Sequence, residues 1–230
     1  MLQLDDVALT QDGFSLSLSA QVETGARVAV LGPSGSGKST LLALIAGFER
    51  PDRGRILWDG GDITDDPVAR RPVSILFQDG NLFPHLSVFE NVALGLRPDL
   101  RLSEADVARV HDSLAQVGLA GFGDRRPATL SGGQQARVGL ARLLLRDRPL
   151  ALLDEPFAAL DPGLRADMLA QLAALSQARG LTLIMACHDL RDAERLCDRL
   201  WLLENGARVL DLPMAALRGA PVPPILQPWL

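Results

Sequence analysis

The chain has 230 residues, a formal net charge of −5 and an apolar fraction of 47 %, which argues against global disorder. An acidic chain lacks the clustered basic surface that bulk nucleic-acid binding requires, so we expect no nucleic-acid partner. No run approaches about 18 uncharged apolar residues, and the acidic start at residues 1–6 does not resemble a signal peptide. Two cysteines make no disulfide framework, which favours a reducing compartment.

The N-terminal third begins with a weak alternation of apolar and polar residues. Phe14, Leu16 and Leu18 share one face, and we predict a small antiparallel sheet within the first 25 residues. The apolar run 28–31 then reads as a buried strand, and a helix is predicted over residues 38–48.

A glycine-rich loop joins this strand to this helix and fits the phosphate-loop pattern G-x-x-x-x-G-K-[ST]. Its glycines let backbone N–H groups curve around phosphate oxygens, and the helix N-terminus adds further donors. The single lysine of the chain, Lys38, would neutralise the β- and γ-phosphates, and the Ser39 hydroxyl suits Mg²⁺. The candidate nucleotide-binding residues of this loop are Gly32, Pro33, Ser34, Gly35, Ser36, Gly37, Lys38, Ser39 and Thr40.

The middle of the chain contains a second buried strand and then a long helical stretch. The strand is predicted over residues 73–77 and ends at Gln78. Residues 84–145 contain no convincing strand pattern, so they are a candidate inserted helical subdomain, whose final helix is predicted over 132–146.

The C-terminal third alternates strands with helices. Apolar runs at 150–153 and 181–186 predict two further buried strands, and residues 162–179 predict a helix bounded by Pro162 and Gly180. A hairpin is predicted over 201–210 around an Asn-Gly turn, and the proline-rich tail at 219–230 is expected to be irregular.

Polar residues of chemical interest follow the predicted strands. Asp154 and Glu155 close the strand at 150–153, and His188 lies just beyond the strand at 181–186. In parallel α/β sheets ligands bind beyond the carboxyl ends of the strands, so these residues are expected to meet the phosphate loop. A carboxylate there suits Mg²⁺, and the adjacent glutamate can activate water. The elements together predict an α/β nucleoside triphosphatase.

A second candidate anion cradle lies at residues 130–134, Leu-Ser-Gly-Gly-Gln. Ser131 offers a small hydroxyl donor, Gly132 and Gly133 free the backbone, and a helix begins there. One chain could in principle close this cradle and the phosphate loop on the same phosphate.

These motifs together resemble those of the ATP-binding-cassette (ABC) ATPases, in that family's order. Residues 130–134 resemble the signature motif, Gln78 falls at the Q-loop, Asp161 at the D-loop and His188 at the switch histidine. The resemblance covers essentially residues 1–212.

The fold that this resemblance implies is an α/β P-loop NTPase fold with a RecA-like parallel core sheet. It also implies an N-terminal antiparallel β subdomain and an inserted α-helical subdomain. We therefore expect one ATPase domain at 1–218, with its core at 1–83 and 146–212, its helical subdomain at 84–145 and a tail at 219–230.

The resemblance also implies cofactors and site residues. ATP and Mg²⁺ are the expected cofactors, with Lys38, Glu155 and His188 as catalytic residues. Mg²⁺ would be held by Ser39, Gln78 and Asp154. Two copies are implied to form a head-to-tail homodimer, in which the signature segment of one chain caps the ATP of the other. The nucleotide contacts implied beyond the phosphate loop are Gln78, Ser131, Gly132, Gly133, Gln134 and Asp161.

The stretch 77–92 resembles the importer type within the family. There it helps to form a groove for a transmembrane permease, which works with a periplasmic solute-binding protein, at the cytoplasmic face of the bacterial inner membrane. The apolar residues Leu82, Phe83 and Leu86 would anchor the permease, or they could simply pack the helical insert. A soluble ABC ATPase of DNA repair or translation, and a P-loop kinase, are the alternative classes.

The cargo is suggested by resemblance alone. Residues 70–74, 76–78, 81–83 and 153–157 resemble the ATPases of thiamine importers, with importers of iron(III), polyamine, sulfate or molybdate as alternatives. The family usually stacks an aromatic residue on adenine near residues 9–11, where this chain has none, and Phe14 is the nearest aromatic.

Overall fold

A computed structural model describes residues 1–77, 81–218 and 221–229. The strands are β1 (Leu2–Gln11), β2 (Phe14–Val22), β3 (Arg27–Leu31), β4 (Arg53–Trp58), β5 (Gly61–Asp62), β6 (Val73–Leu76), β7 (Leu150–Asp154), β8 (Thr182–Ala186), β9 (Arg199–Glu204) and β10 (Ala207–Pro213). The α-helices are α1 (Lys38–Ala46), α2 (Val88–Ala93), α3 (Glu104–Gln116), α4 (Gly132–Leu145), α5 (Pro162–Arg179) and α6 (Leu190–Leu196).

The predicted antiparallel sheet is present and is wider than expected. Its strand order is β2-β1-β4-β5, and in β2 from Leu16 onward the apolar residues are buried while the intervening polar ones are exposed. Strand β4 was not predicted, because Gly54 interrupts its pattern. Gly54 has a φ of 85°, and a Cβ there would lie 2.2 Å from the carbonyl oxygen of Asp6. The glycine therefore allows β4 to approach the bulge in β1.

The predicted parallel strands share one sheet, which confirms the α/β fold class. The six-stranded sheet has the order β10-β9-β3-β8-β7-β6, in which β10 alone is antiparallel to its neighbour. Successive side chains of β3 face opposite cores, with Val28 and Val30 toward α1 and Ala29 and Leu31 toward the other helices. Both faces of the strands are thus covered, which explains their continuous apolar sequences.

Local boundary signals place the helices and the hairpin. Helix α5 spans Pro162–Arg179, as predicted, and ends at Gly180 with a φ of 59°. The hairpin β9–β10 turns at Asn205 and Gly206, which both have positive φ. Strand β9 also pairs in parallel with β3, so the hairpin extends the central sheet instead of standing apart.

Residues 84–145 contain helices α2, α3 and α4 with a single 3₁₀ turn at Pro127–Thr129, and no strand. Serine begins all three helices, each in a capping box. Ser87 pairs with Glu90, Ser103 with Asp106, and Ser131 with Gln134.

The described part of the tail returns to the body of the protein. Residues Pro224–Trp229 form a 3₁₀ helix, and Leu226 is fully buried in the core that contains α5 and α6. Within the described residues, none of the helices has the length and apolar character needed to cross a membrane.

Candidate functional site

The phosphate loop joins the carboxyl end of β3 to the first residue of α1, as the sequence predicted. Lys38 is buried, and its Nζ donates hydrogen bonds to the carbonyl oxygens of Gly32 (2.7 Å) and Pro33 (3.1 Å). The ammonium therefore lies inside the curve of the loop. A phosphate group entering the loop would meet this charge together with the first N–H groups of α1.

Two glycines of the loop leave no room for a side chain. A Cβ on Gly32 would lie 2.3 Å from the carbonyl oxygen of Leu203. Gly37 has a φ of 101°, and a Cβ there would lie 2.8 Å from the ring of Phe14. The loop is thus pressed between β9 and the turn that begins β2, and this close packing fixes its curvature.

A cleft of about 870 Å³ opens over the phosphate loop. The loop contributes every predicted residue except Ser36, whose hydroxyl is buried and has no hydrogen-bond partner among the described residues. The cleft is lined by Gln11, Asp12, Phe14, Gly32, Pro33, Ser34, Gly35, Gly37, Lys38, Ser39, Thr40, Glu155, His188, Pro228 and Trp229.

Glu155 and His188 meet at the far side of this cleft. The Nδ1 atom of His188 lies 3.3 Å from Oε2 of Glu155, and the histidine side chain is 53 % exposed to the cleft. Glu155 has a φ of 45°, and its backbone N–H donates to the carbonyl oxygen of Ala186 on the adjacent strand. A non-glycine residue held at positive φ is costly, and such strain is concentrated at functional sites.

The residues next to Glu155 and His188 have structural roles and no reactive group in the cleft. Burial raises the pKa of the Cys187 thiol well above its usual range, so the sulfur is a neutral neighbour of His188. A side-chain hydrogen bond from Arg191 lowers the pKa of Asp189, which caps α6 as a carboxylate. Of the acidic and histidine side chains at these strand ends, Glu155 and His188 line the cleft.

Several predicted site residues lie outside the cleft lining. Asp154 ends β7, one residue before Glu155, and does not line the cleft. Asp161 accepts a hydrogen bond from the N–H of Leu164 and caps α5. Gln78 lies outside the described residues.

The signature segment also lies apart from the phosphate loop within one chain, since Ser131, Gly132, Gly133 and Gln134 are absent from the cleft lining. The Ser131 hydroxyl accepts from the N–H of Gln134, whose side chain accepts from the N–H of Ser131. A Cβ on Gly133 would lie 2.3 Å from the side chain of Leu164, so close packing on α5 accounts for the second of the two glycines. The serine is exposed, and its hydroxyl hydrogen is still available to a ligand.

The tail supplies cleft residues that sequence reasoning missed. Pro228 and Trp229 line the cleft, although the tail was expected to be only an irregular extension. The signal that could have found them is the apolar pair Leu226 and Trp229, spaced one helical turn apart in an otherwise proline-rich segment. Phe14, the nearest aromatic to the expected base-stacking position, also lines the cleft.

The donor set of the cleft suits a magnesium-bound nucleoside triphosphate. The glycine-walled loop and Lys38 fit a polyphosphate, and the exposed Ser39 hydroxyl is an oxygen ligand of the kind that Mg²⁺ prefers. The predicted carboxylate ligand, Asp154, ends β7 directly before the cleft residue Glu155 and lies outside the cleft lining.

Comparison with protein families matches residues 16–158 to the ABC transporter family. A thiamine import ATP-binding protein, ThiQ, from Jannaschia sp. (strain CCS1) is 59 % identical over 230 residues, with both chains covered in full. The protein of the same name from Cereibacter sphaeroides is 50 % identical over all of this chain and 99 % of the relative.

Solved structures show the same architecture. A dimeric ATP-binding cassette in a post-hydrolysis state, bound to ADP and Pi, is 30 % identical with a TM-score of 0.80, over 93 % of this chain and 99 % of that one. The protein cbiO1 from Clostridium perfringens, part of an ABC transporter complex, is 30 % identical with a TM-score of 0.84, over 94 % and 89 % of the two chains.

Proposed function

Because this chain belongs to the ABC transporter family, we propose that it is the ATP-hydrolysing subunit of a bacterial thiamine importer. The observation that supports thiamine as the cargo is the 59 % identity, over the full length of both chains, to a protein named for thiamine import. Importers of iron(III), polyamine, sulfate or molybdate remain the alternatives for the cargo.

The catalytic roles follow from the geometry of the cleft. Lys38 would neutralise the β- and γ-phosphates from inside the loop, because its Nζ is already held there by two carbonyl oxygens. Glu155 would polarise the attacking water, and His188, 3.3 Å away, would hold that water and the γ-phosphate in line. Positioning and electrostatics would supply most of the rate, since phosphoryl transfer needs little covalent help.

Ser39 and Asp154 would hold Mg²⁺, and Gln78 would complete its shell. When bound, the ion neutralises charge on the phosphate oxygens. Ser39 is exposed and lines the cleft, whereas Asp154 ends β7 outside the cleft lining, directly before Glu155.

A second copy of the chain would complete the site. The signature residues Ser131–Gln134 and the loop residue Asp161 lie outside the cleft of their own chain, yet Ser131 is exposed at a helix N-terminus. In a head-to-tail homodimer with twofold symmetry, each signature segment would cap the γ-phosphate bound by the other chain. Similarity to a cassette that is dimeric with ADP and Pi supports this arrangement.

The partners would be a transmembrane permease and, indirectly, a periplasmic solute-binding protein. We place the subunit at the cytoplasmic face of the inner membrane, as one ATPase domain (1–218) with its core at 1–83 and 146–212. The permease would dock on the helical subdomain (84–145) and on the adjoining surface around Phe83, a residue that is 46 % exposed. The tail is residues 219–230.

Glu155→Gln tests the assignment of the chemistry. We expect this variant to bind ATP as tightly as the parent, to lose hydrolysis by at least about a hundredfold, and to accumulate as an ATP-bound dimer. Calorimetry, phosphate release and size-exclusion chromatography measure the three properties. Glu194→Gln, at an exposed position of α6, is the matched control. Hydrolysis by Glu155→Gln at the parental rate would contradict the assignment.

Uptake of labelled thiamine tests the cargo. A deletion strain of the source bacterium should lose uptake, and the parental gene should restore it, whereas Glu155→Gln should not. Normal thiamine uptake in the deletion strain, with loss of another solute, would retain the ATPase and reject thiamine.

A further inference from the structure

One half-buried arginine joins the segment that follows Glu155 to the segment that follows His188. Arg165, in the first half of α5, donates from Nη2 to the carbonyl oxygens of Ala158 and Leu160, both at 3.2 Å. Its Nη1 lies 3.4 Å from the Oδ2 atom of Asp192 in α6. A single guanidinium therefore holds the loop before α5 and the helix after His188.

Both segments lead directly to the reacting groups. Ala158 belongs to the turn that begins at Glu155, because its N–H donates to the carbonyl oxygen of Glu155 at 3.2 Å. Asp192 lies in α6, which begins two residues after His188. A small cavity of about 20 Å³ lies between these groups and is lined in part by Glu155, Arg165, His188 and Asp192.

The ion pair is well shielded from water. The side chains of Arg165 and Asp192 are 18 % and 13 % exposed, and the Nε atom of Arg165 finds no hydrogen-bond partner among the described residues. A buried ion pair with one donor unsatisfied is weak evidence for a stabilising role, since desolvation offsets most of its attraction. Its directional contacts with two separate segments are better explained by positioning.

We infer that Arg165 is a positioning residue, which sets the distance between His188 and Glu155 by joining the turn after Glu155 to helix α6. The inference rests on the proposed roles of Glu155 and His188. Its contacts also extend to Leu160, so a displacement of the loop before α5 would be transmitted to the histidine. Arg165 does not line the nucleotide cleft, so it acts without touching ATP.

The test separates positioning from binding. Arg165→Met and Asp192→Asn should each lower kcat for ATP by at least about tenfold, because small misplacements of reacting groups are costly. The KM for ATP should stay within about twofold, because neither side chain belongs to the cleft. Arg165→Lys should recover only part of kcat, since an ammonium cannot reproduce the fork that spans three acceptors.

A second test repeats the Arg165 substitution in a protein that lacks the His188 side chain. In a His188→Ala protein, Arg165→Met should change the residual kcat by less than about twofold, because residues that act through one another are not additive. A merely structural role would lower the rate in both backgrounds.

Arg179→Met is the matched control, since Arg179 lies on the same helix and donates to the carbonyl oxygen of Leu144. It is about 21 Å from Arg165 along the helix axis. If Arg165→Met and Asp192→Asn reduce kcat no more than Arg179→Met, the inference is wrong. Asp192→Asn preserves shape and decides the matter if Arg165→Met does not fold. Parental hydrolysis by Glu155→Gln would instead overturn the proposed function on which the inference depends.

Discussion

At the scale of single residues, Lys38 is the least replaceable side chain of the cleft. It is the only lysine among the 23 lysine and arginine residues of the chain. Its ammonium contacts two carbonyl oxygens within six residues of itself, in a loop where two glycines cannot accept a side chain. A compact point charge fits this space, whereas the planar fork of arginine is wider and cannot turn between the same acceptors.

Lys38→Arg is therefore expected to fail although it conserves the charge. We predict that ATP hydrolysis falls by at least about a hundredfold, because the guanidinium displaces the phosphates instead of neutralising them. Phosphate release measures the rate, and Arg109→Lys, at an exposed position of α3, is the control for exchange of the two residue types. Hydrolysis above a tenth of the parental rate would show that charge alone suffices.

At the scale of secondary structure, a buried arginine fixes the helix that carries Lys38. Arg71 is 1 % exposed and donates to the carbonyl oxygens of Leu44 (2.7 Å) and Ile45 (2.9 Å), at the C-terminal end of α1. The same side chain reaches the carbonyl oxygens of Thr64 and Asp66. It thus caps the helix and ties it to the loop before β6.

Arg71→Met should destabilise the fold by about 2–4 kcal/mol, because it leaves buried carbonyl oxygens without donors. Urea unfolding followed by circular dichroism measures this change. The neighbouring Arg70, which is exposed, gives the control variant Arg70→Met, for which we expect almost no change. Equal midpoints for the two variants would contradict the capping role.

The capping box of α3 predicts a dependence of stability on pH. The pKa of Asp106 is lowered, chiefly by the hydrogen bond that its carboxylate accepts from the N–H of Ser103. A carboxyl whose pKa is lower in the folded state stabilises that state above its unfolded pKa, and this stabilisation disappears as pH falls through the folded pKa.

Asp106→Asn should therefore lower the urea midpoint at pH 7, with a difference that shrinks below about pH 4. Asp112→Asn, at an exposed position on the same helix, is the control. A difference between Asp106→Asn and the parent that persists unchanged at low pH would contradict the role of the carboxylate charge.

Sequence reasoning was accurate wherever one short segment determines the structure. Pro162 and Gly180 mark the ends of α5 because each restricts the backbone locally. Strand β4 was missed because its glycine is explained only by the approach of Asp6, which is distant in sequence. The contact of Arg165 with α6 could not be predicted either, since no local sequence pattern indicates which helix an arginine will contact.

At the scale of the whole molecule, the C-terminal tail contacts both the nucleotide cleft and the main hydrophobic core. Leu226 is fully buried among residues of the main core, and Trp229 packs on that core while lining the cleft. Local sequence could not predict where the tail packs, because prolines restrict the backbone of a segment but do not determine which surface it contacts.

Trp229→Ala should weaken binding of ATP and ADP severalfold, since loss of an aromatic contact with a base costs about 1–3 kcal/mol. Isothermal titration calorimetry measures the affinity. Ile225→Ala, in the same 3₁₀ helix and 40 % exposed, is the control and should bind as the parent does. Unchanged affinity of Trp229→Ala would show that the indole is only a neighbour of the cleft.

The position of Trp229 also means that the intrinsic tryptophan fluorescence of the protein should report nucleotide binding. The chain has no tyrosine and three tryptophans, so the indoles dominate its near-ultraviolet emission. Trp201 is fully buried and Trp58, the last residue of β4, packs against the core beside the antiparallel sheet, whereas Trp229 lines the cleft. Nucleotide entry would change the solvent around one indole and leave the other two as an internal reference, so occupancy can be read from unlabelled protein.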